Sequence, residues 1–293
     1  MLPANINELK EGLRKAGYLC DEETVLTVFL SLKLGKPLLI EGAPGVGKTE
    51  MGKALSRALN TGLIRLQCYE GLDENKALYE WNYQKQLLRI QLSRELQGEE
   101  LRERDLFTED YLLERPLLKA IRSNRKEVLL IDEVDKCDHE FEAFLFEVLS
   151  DYQVSIPELG TIEALNIPVV VLTSNSEREL SDALRRRCIY LYLDFPTVER
   201  EIAIINHRYP HTGEKLSSSI AQVAHYLRED GRIQKKPSIA ETLDWVSALV
   251  ELDRDRLSPT LVENTLNLVL KSKHDQRTFK EEIGAEELLQ QVK

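Results

Sequence analysis

The sequence predicts an α/β protein, a parallel sheet carrying a phosphate-binding loop, followed by an all-helical C-terminal domain. Three observations predict it. First, the apolar run Leu38-Leu39-Ile40 leads into Gly42-Ala43-Pro44-Gly45-Val46-Gly47-Lys48-Thr49, which fits the P-loop pattern G-x-x-x-x-G-K-[ST] at every fixed position. Second, two further apolar strands, Val128 to Ile131 and Pro168 to Thr173, end in polar groups: Asp132-Glu133 after one, Ser174-Asn175 after the other. Third, the chain from Pro196 to about Phe279 reads as a series of amphipathic helices.

Composition frames these elements. A chain of 293 residues, 42% of them hydrophobic, fits one large or two ordinary domains with a core in each. The net charge of −11 gives no global attraction to a phosphate backbone, and no basic patch is obvious, so a nucleic-acid partner is not expected. Cys20, Cys68, Cys137 and Cys188 show neither C-x-x-C nor Cys/His metal spacing, which speaks against a disulfide or zinc framework and suits a reducing cytoplasm. No apolar run has transmembrane length, and Met1-Leu2-Pro3-Ala4-Asn5 lacks a basic segment followed by an apolar one. The expectation is a cytoplasmic protein, neither exported nor inserted in a membrane.

In chain order, Ile6 to Ala16 and Asp21 to Leu34 read as helices, the second with Val25, Leu26, Val28, Phe29 and Leu32 spaced for one buried face. Gly35-Lys36-Pro37 stops it before the first strand. In the P-loop, glycines let backbone N–H groups turn toward a polyphosphate, and the helix opened by Glu50 adds unsatisfied donors and partial positive charge. Lys48 then reaches the β- and γ-phosphates, and the Thr49 hydroxyl ligates Mg²⁺. These residues imply a bound nucleoside triphosphate.

Leu63 to Leu66 is a short strand, and a long polar stretch, read as helical, runs from Gln67 to Glu114. Within it Gln86 to Leu96 is mostly amphipathic, and Arg102-Glu103-Arg104-Asp105 reads as a solvated face. Trp81 and Tyr83 fit either a core or an exposed platform for a partner. At the carboxyl end of a parallel strand beside the P-loop, Asp132 would hold Mg²⁺ through water while Glu133 polarises the attacking water, the Walker B arrangement. A helix from Glu140 to Ser150 and a hairpin around Pro157 and Gly160 follow. Asn175, at the end of the fourth strand, would help orient the attacking water. Arg185-Arg186-Arg187 lies between a short helix and the last strand, Ile189 to Leu193; such a run complements a helix dipole or offers charge to a transferring phosphate.

The order P-loop, Leu-Leu-Ile-Asp-Glu, hairpin, Thr-Ser-Asn and Leu-Arg-Arg-Arg-Cys resembles the AAA+ ATPases over nearly the whole chain. The resemblance implies a P-loop core with a five-stranded parallel sheet of order 5-1-4-3-2 and a small all-helical lid, divided as 1–195 and 196–293. It also implies a helical insert at about 68–114, a pre-sensor hairpin at about 153–164, and ATP with Mg²⁺ as ligands. Arg187 aligns with the arginine that acts on a neighbour's nucleotide in a ring, with Arg186 and Arg185 as fallbacks. Where relatives carry a second-sensor arginine, this chain reads Lys235-Lys236-Pro237-Ser238. Gln67 to Asp73, Tyr79 to Tyr83 and Phe141 to Leu145 are similar to the MoxR family, most of all to the branch associated with carbon monoxide dehydrogenase and related molybdenum hydroxylases. That similarity implies a homo-oligomeric ring, expected as a hexamer, that matures a metalloenzyme client beside a von Willebrand factor A domain protein. A nucleic-acid motor or clamp-loader-like ATPase and a scaffold with little turnover are the alternatives. The intact Lys48, Asp132, Glu133 and Arg187 argue against the scaffold.

Overall fold

A computed structural model describes residues 2–95 and 102–292. The part of the expected insert at 96–101, including Leu96 of the amphipathic run, lies outside the described residues, as do Met1 and Lys293. In chain order come α1 (Ile6–Lys15), α2 (Glu22–Leu34), β1 (Leu38–Gly42), α3 (Lys48–Ala58) and β2 (Leu63–Gln67). Next are α4 (Glu74–Ala77), β3 (Tyr79–Trp81), α5 (Tyr83–Glu95), β4 (Leu112–Glu114), α6 (Pro116–Ile121), β5 (Val128–Asp132) and α7 (His139–Asp151). Then follow β6 (Gln153–Ile156), β7 (Gly160–Glu163), β8 (Val169–Ser174), α8 (Asp182–Arg187) and β9 (Ile189–Leu193). The C-terminal helices are α9 (Val198–Arg208), α10 (Glu214–Glu229), α11 (Ile239–Glu251), α12 (Pro259–Val269), α13 (Lys273–Thr278) and α14 (Ala285–Gln291). The chain forms two compact units: Met1–Gly12, Glu23–Glu41 and Gly52–Leu191 in one, Leu13–Glu22, Gly42–Met51 and Tyr192–Lys293 in the other.

The first unit is built on a five-stranded sheet of order β2-β5-β8-β1-β9. Counting only the sheet strands in chain order, this reads 5-1-4-3-2 from the β9 edge; the numbers differ because two short ribbons, β3–β4 and β6–β7, interrupt the count. β2 with β5, β5 with β8, and β8 with β1 pair in parallel. Burial follows position. The three inner strands are buried at every residue, whereas β2 and β9 are buried only in part. A strand covered on both faces must be apolar throughout, which is why β5 and β8 read as continuous apolar runs. Leu129, Ile131, Val170 and Leu172 alternate onto one face and share a core with Leu117 and Leu118 of α6 and Phe141 and Leu145 of α7. Pro116 opens α6 at a position whose N–H has no helical partner, and the Asp138 carboxylate caps α7 by accepting from Phe141 N–H at 2.8 Å.

Two expectations are corrected. Residues 79–81 and 112–114 are not helical but form an antiparallel ribbon, Trp81 opposite Leu112. Trp81 is 7% exposed and stands edge-on to Phe107 at 5.2 Å, so it is core; Tyr83 is exposed. On α2, Val25, Val28 and Leu32 are buried, but Leu26 lies with Leu30 and Leu34 on an exposed stripe. An i, i+4, i+8 row lies on one side of a helix, here the side away from the core.

The second unit has its own core, with Ile205, Leu216, Ile220, Trp245, Leu249, Leu266 and Phe279 among its members. Side-chain caps set the helix starts: Thr197 on α9, Ser258 on α12, and Ser238 with Glu241 in a reciprocal capping box on α11. Trp245 Nε1–H donates to Thr265 Oγ1 at 2.8 Å, satisfying the one polar group of a fully buried indole. Glu201 and Arg228 form a buried pair in the same unit. Among the described residues no helix is long and apolar enough to cross a membrane.

Candidate functional site

In the second unit, Gly42–Met51 holds the P-loop. The loop runs into α3, whose first residue is Lys48. Gly45 has φ +76, and a Cβ there would fall 2.4 Å from Ser238 Oγ at the start of α11. Any side chain at this position would collide with the helix cap, so packing by itself calls for glycine here. Lys48 is buried, and its ammonium donates to the carbonyls of Gly42 and Ala43 at 2.7 and 2.8 Å. The side chain thus folds back over its own loop. Lys235 and Lys236, just before the Ser238 cap, are exposed.

The acids belong to the first unit. Asp132 ends β5 with its side chain 2% exposed. Its Oδ1 accepts from Thr173 Oγ1 at 2.6 Å, and Thr173 in turn accepts from Glu133 N–H at 2.9 Å. A threonine on β8 therefore straps both acids, and it explains how Glu133 keeps a left-handed backbone, φ 58. Asp132 Oδ2 accepts from the Arg65 guanidinium of β2, Nε at 3.1 Å. Glu133 Oε2 accepts from Gln67 Nε2 at 3.0 Å and from Lys136 Nζ at 2.7 Å. The Glu133 carboxylate holds the Lys136 ammonium above its usual range. As arranged, both donors converge on one oxygen of the Glu133 carboxylate.

Asn175 follows β8, and its N–H donates to Asp135 Oδ2 at 3.1 Å; Glu177 N–H does the same at 3.0 Å. Asp135 thereby fixes the loop that carries Asn175. The three arginines differ in placement. Arg185 pairs with the buried Glu41 at 3.3 Å and lies over the Tyr190 ring, while Arg187 lies over Phe146 at 4.9 Å and donates to the Ser150 carbonyl. Arg186 is 83% exposed and pairs with Asp182 at 3.7 Å.

Thr173, Arg65, Gln67, Lys136 and Asp135 carry much of this geometry, yet sequence reasoning assigned none of them a role. The available signals were faint: polar residues two apart at the end of β2, and a threonine closing an otherwise apolar strand.

Among the described residues no group of three or more His, Cys, Asp and Glu is set to hold a metal ion. The buried Asp132 carboxylate already attracts a cationic group in Arg65, so its donor chemistry fits a cation.

A parallel sheet of this order with a P-loop after β1 and acids after β5 defines a P-loop nucleotide-binding fold. Residues 37–188 match the family described as AAA domain (dynein-related subfamily), and the chain belongs to that family of AAA+ ATPases. An uncharacterised protein of Staphylococcus haemolyticus is 24% identical over 246 residues, covering 81% of this chain and 85% of that protein. An uncharacterised protein of Staphylococcus saprophyticus is 22% identical over 248 residues, covering 82% and 86%. Two RuvB variants of Thermotoga maritima superpose with TM-scores of 0.52 and 0.50, each at 20% identity. The first covers 96% of this chain and 80% of its own, the second 95% and 79%. At that identity the likeness concerns the fold alone.

Proposed function

We propose that this chain binds ATP with Mg²⁺ and hydrolyses it as a ring-forming remodeller. The observation that carries the reading is the strapped pair at the end of β5: Asp132 buried and Glu133 beside it, both tied to Thr173. In this reading the P-loop Gly42 to Thr49, with Glu50, cradles the phosphates. Lys48 neutralises the β/γ-phosphates, Thr49 and Asp132 take the Mg²⁺, Glu133 is the base and Asn175 orients the water. The lesions separate binding from chemistry. Lys48→Ala should lose most ATP affinity, whereas Glu133→Gln should keep it and lose turnover by a factor on the order of 10² or more. Phosphate release by Glu133→Gln at the wild-type rate would remove Glu133 from the mechanism.

Arg187 is the proposed trans-acting arginine, and the exposure of Arg186 supports testing it alongside. Arg187→Ala should bind ATP yet hydrolyse poorly, and mixing it with Lys48→Ala subunits should restore part of the activity. No recovery in verified mixed rings, for Arg187→Ala or Arg186→Ala, speaks against a shared site.

The finer reading rests on the MoxR-like segments at 67–73, 79–83 and 141–145. It comprises a hexameric ring, a division at residue 195 into core and lid, cytoplasmic work, a von Willebrand factor A domain partner, and a metalloenzyme client such as a molybdenum hydroxylase. Pull-down with Glu133→Gln and ATP, which traps the complex, is the direct test; recovery of no such protein counts against it.

A further inference from the structure

Cys68 follows β2 directly, and Cys137 follows the turn Val134–Lys136 that leads away from Glu133. Both are buried in the first unit's core, at 1% and 3% exposure. Their thiols face each other, Cys68 Sγ–H donating to Cys137 Sγ. Main-chain bonds hold both residues in place. Cys68 N–H donates to the Asp132 carbonyl at 2.8 Å, Cys137 N–H to the Val134 carbonyl at 3.2 Å, and the Arg178 guanidinium to the Cys137 carbonyl at 2.9 Å. A core asks for no such meeting, since a lone cysteine already packs as a small apolar group.

The hydrogen bond from Cys68 outweighs burial and holds the Cys137 thiol below its ordinary value, with Arg178 and the Tyr69 N–H acting the same way and Asp138 against them. A thiolate-prone sulfur with a second thiol in hydrogen-bond contact is the arrangement of an attacking and a resolving cysteine. The pair also lies just beneath the surface: Tyr69 and Glu70 after Cys68, and Lys136 and Asp138 on either side of Cys137, are exposed. A layer this thin suits a small oxidant such as a peroxide and shields the sulfurs from a bulky disulfide.

We infer that Cys68 and Cys137 are a redox-active pair that a peroxide closes to a disulfide, tying the end of β2 to the turn after Glu133. Cys137 Sγ attacks one peroxide oxygen, the O–O bond breaks, and hydroxide leaves as the sulfur becomes a sulfenic acid. Cys68 Sγ then attacks Cys137 Sγ: the S–S bond forms, the S–O bond breaks, and the Cys68 proton leaves with the hydroxyl as water. The proton given up by Cys137 converts the first hydroxide to a second water. The two sulfurs lose two electrons and the peroxide gains them. Nothing in this step requires ATP, so the inference stands or falls apart from the nucleotide reading.

The test maps the bond in the full chain. Hydrogen peroxide is added and removed with catalase, remaining thiols are alkylated in denaturant, and the chain is digested with trypsin without reduction. The two cysteines fall in separate tryptic peptides, residues 66–76 and 137–178. The expected product is these peptides joined, two hydrogens lighter than their sum and released by dithiothreitol. Amide hydrogen exchange across 134–137 should slow by about tenfold in the oxidised chain, because the cross-link removes a local opening of the turn. Cys68→Ser and Cys137→Ser should each abolish both effects; should either fail to fold, the wild-type map decides. Peptides recovered apart at peroxide doses that oxidise the partly exposed Cys20 or Cys188 overturn the proposal. So does a bond that forms only when peroxide is added in denaturant. Joined peptides with unchanged exchange at 134–137 overturn the tie to the turn.

Discussion

Among the buried carboxylates that pair with arginine, Asp132 with Arg65 in one unit and Glu201 with Arg228 in the other are built for opposite ends. Arg228 is 2% exposed and Glu201 not at all; the guanidinium engages both carboxylate oxygens, the Pro237 carbonyl and Thr242 Oγ1, and lies over the Phe195 ring. Arg65 reaches in from a sheet-edge strand, touches one carboxylate oxygen and keeps nearly half its side chain in water. The first arginine has no way out and ties α9, α10 and the start of α11 together. The second can exchange its acid for water. The carboxylate is buried in both, so the exposure of the arginine decides which pair is fixed.

The largest expected effect tests that difference directly. Arg228→Met strands a buried carboxylate and should cost about 3–5 kcal/mol of stability. Arg65→Met lets water reach Asp132 and should cost about 1 kcal/mol or less. Chemical denaturation of both variants at neutral pH is the measurement. Equal losses would break the comparison.

Sequence reasoning saw one of these sites and not the other, for physical reasons. The P-loop and Asp132-Glu133 were legible because their chemistry is written in local spacing, and β5 and β8 because a doubly covered strand must be apolar throughout. Arg65, Gln67 and Thr173 acquire meaning only from the register of β2 on β5 and β5 on β8, which local pattern does not encode. The same holds for the ribbon: Tyr79-Glu80-Trp81 is three residues long, and Tyr79 pairs with the distant Glu114 without an intervening turn signal. Arg228 and Glu201 each sit at an ordinary helical position, so nothing in their neighbours announces a buried pair.

A third pair sharpens the series. Glu142 is buried, while its partner Arg178 is 27% exposed, between the two arginines above. Burial opposes the charge on Glu142, but hydrogen bonds from Ser181 and the Arg178 guanidinium outweigh it and hold the carboxyl below the usual range. A lowered folded value means the pair stabilises above the unfolded carboxylate pKa, near 4.3, and that this contribution is lost as pH falls through the folded value. Glu142→Gln should therefore cost about 1–3 kcal/mol at neutral pH and flatten the acid limb of the stability curve below about pH 4.3. An unchanged acid limb would place the acid-sensitive group elsewhere. Because Ser181 caps α8, the same variant should also loosen the helix that carries Arg185 to Arg187.

The smallest effect concerns Lys136, which pairs with Glu133 where both side chains are over a third exposed or close to it, at 38% and 34%. Such pairs contribute about 0–1 kcal/mol, so Lys136→Met should leave the unfolding midpoint almost unchanged. Its consequence falls on Glu133, the proposed base, instead. With the ammonium gone, Glu133 keeps only Gln67 as a side-chain donor among the contacts described above, and basal ATP turnover should rise by a few fold, far less than the roughly hundredfold loss of Glu133→Gln. An exposed attraction is also screened by salt, so the difference between Lys136→Met and wild type should shrink as ionic strength approaches about 1 M, where the screening length is about 3 Å. Turnover measured across a salt series decides it. A gap that persists at high salt would mean that Lys136 acts on Glu133 through a fixed hydrogen bond rather than a screened charge, and would move Lys136 closer in kind to Arg228 than to Arg65.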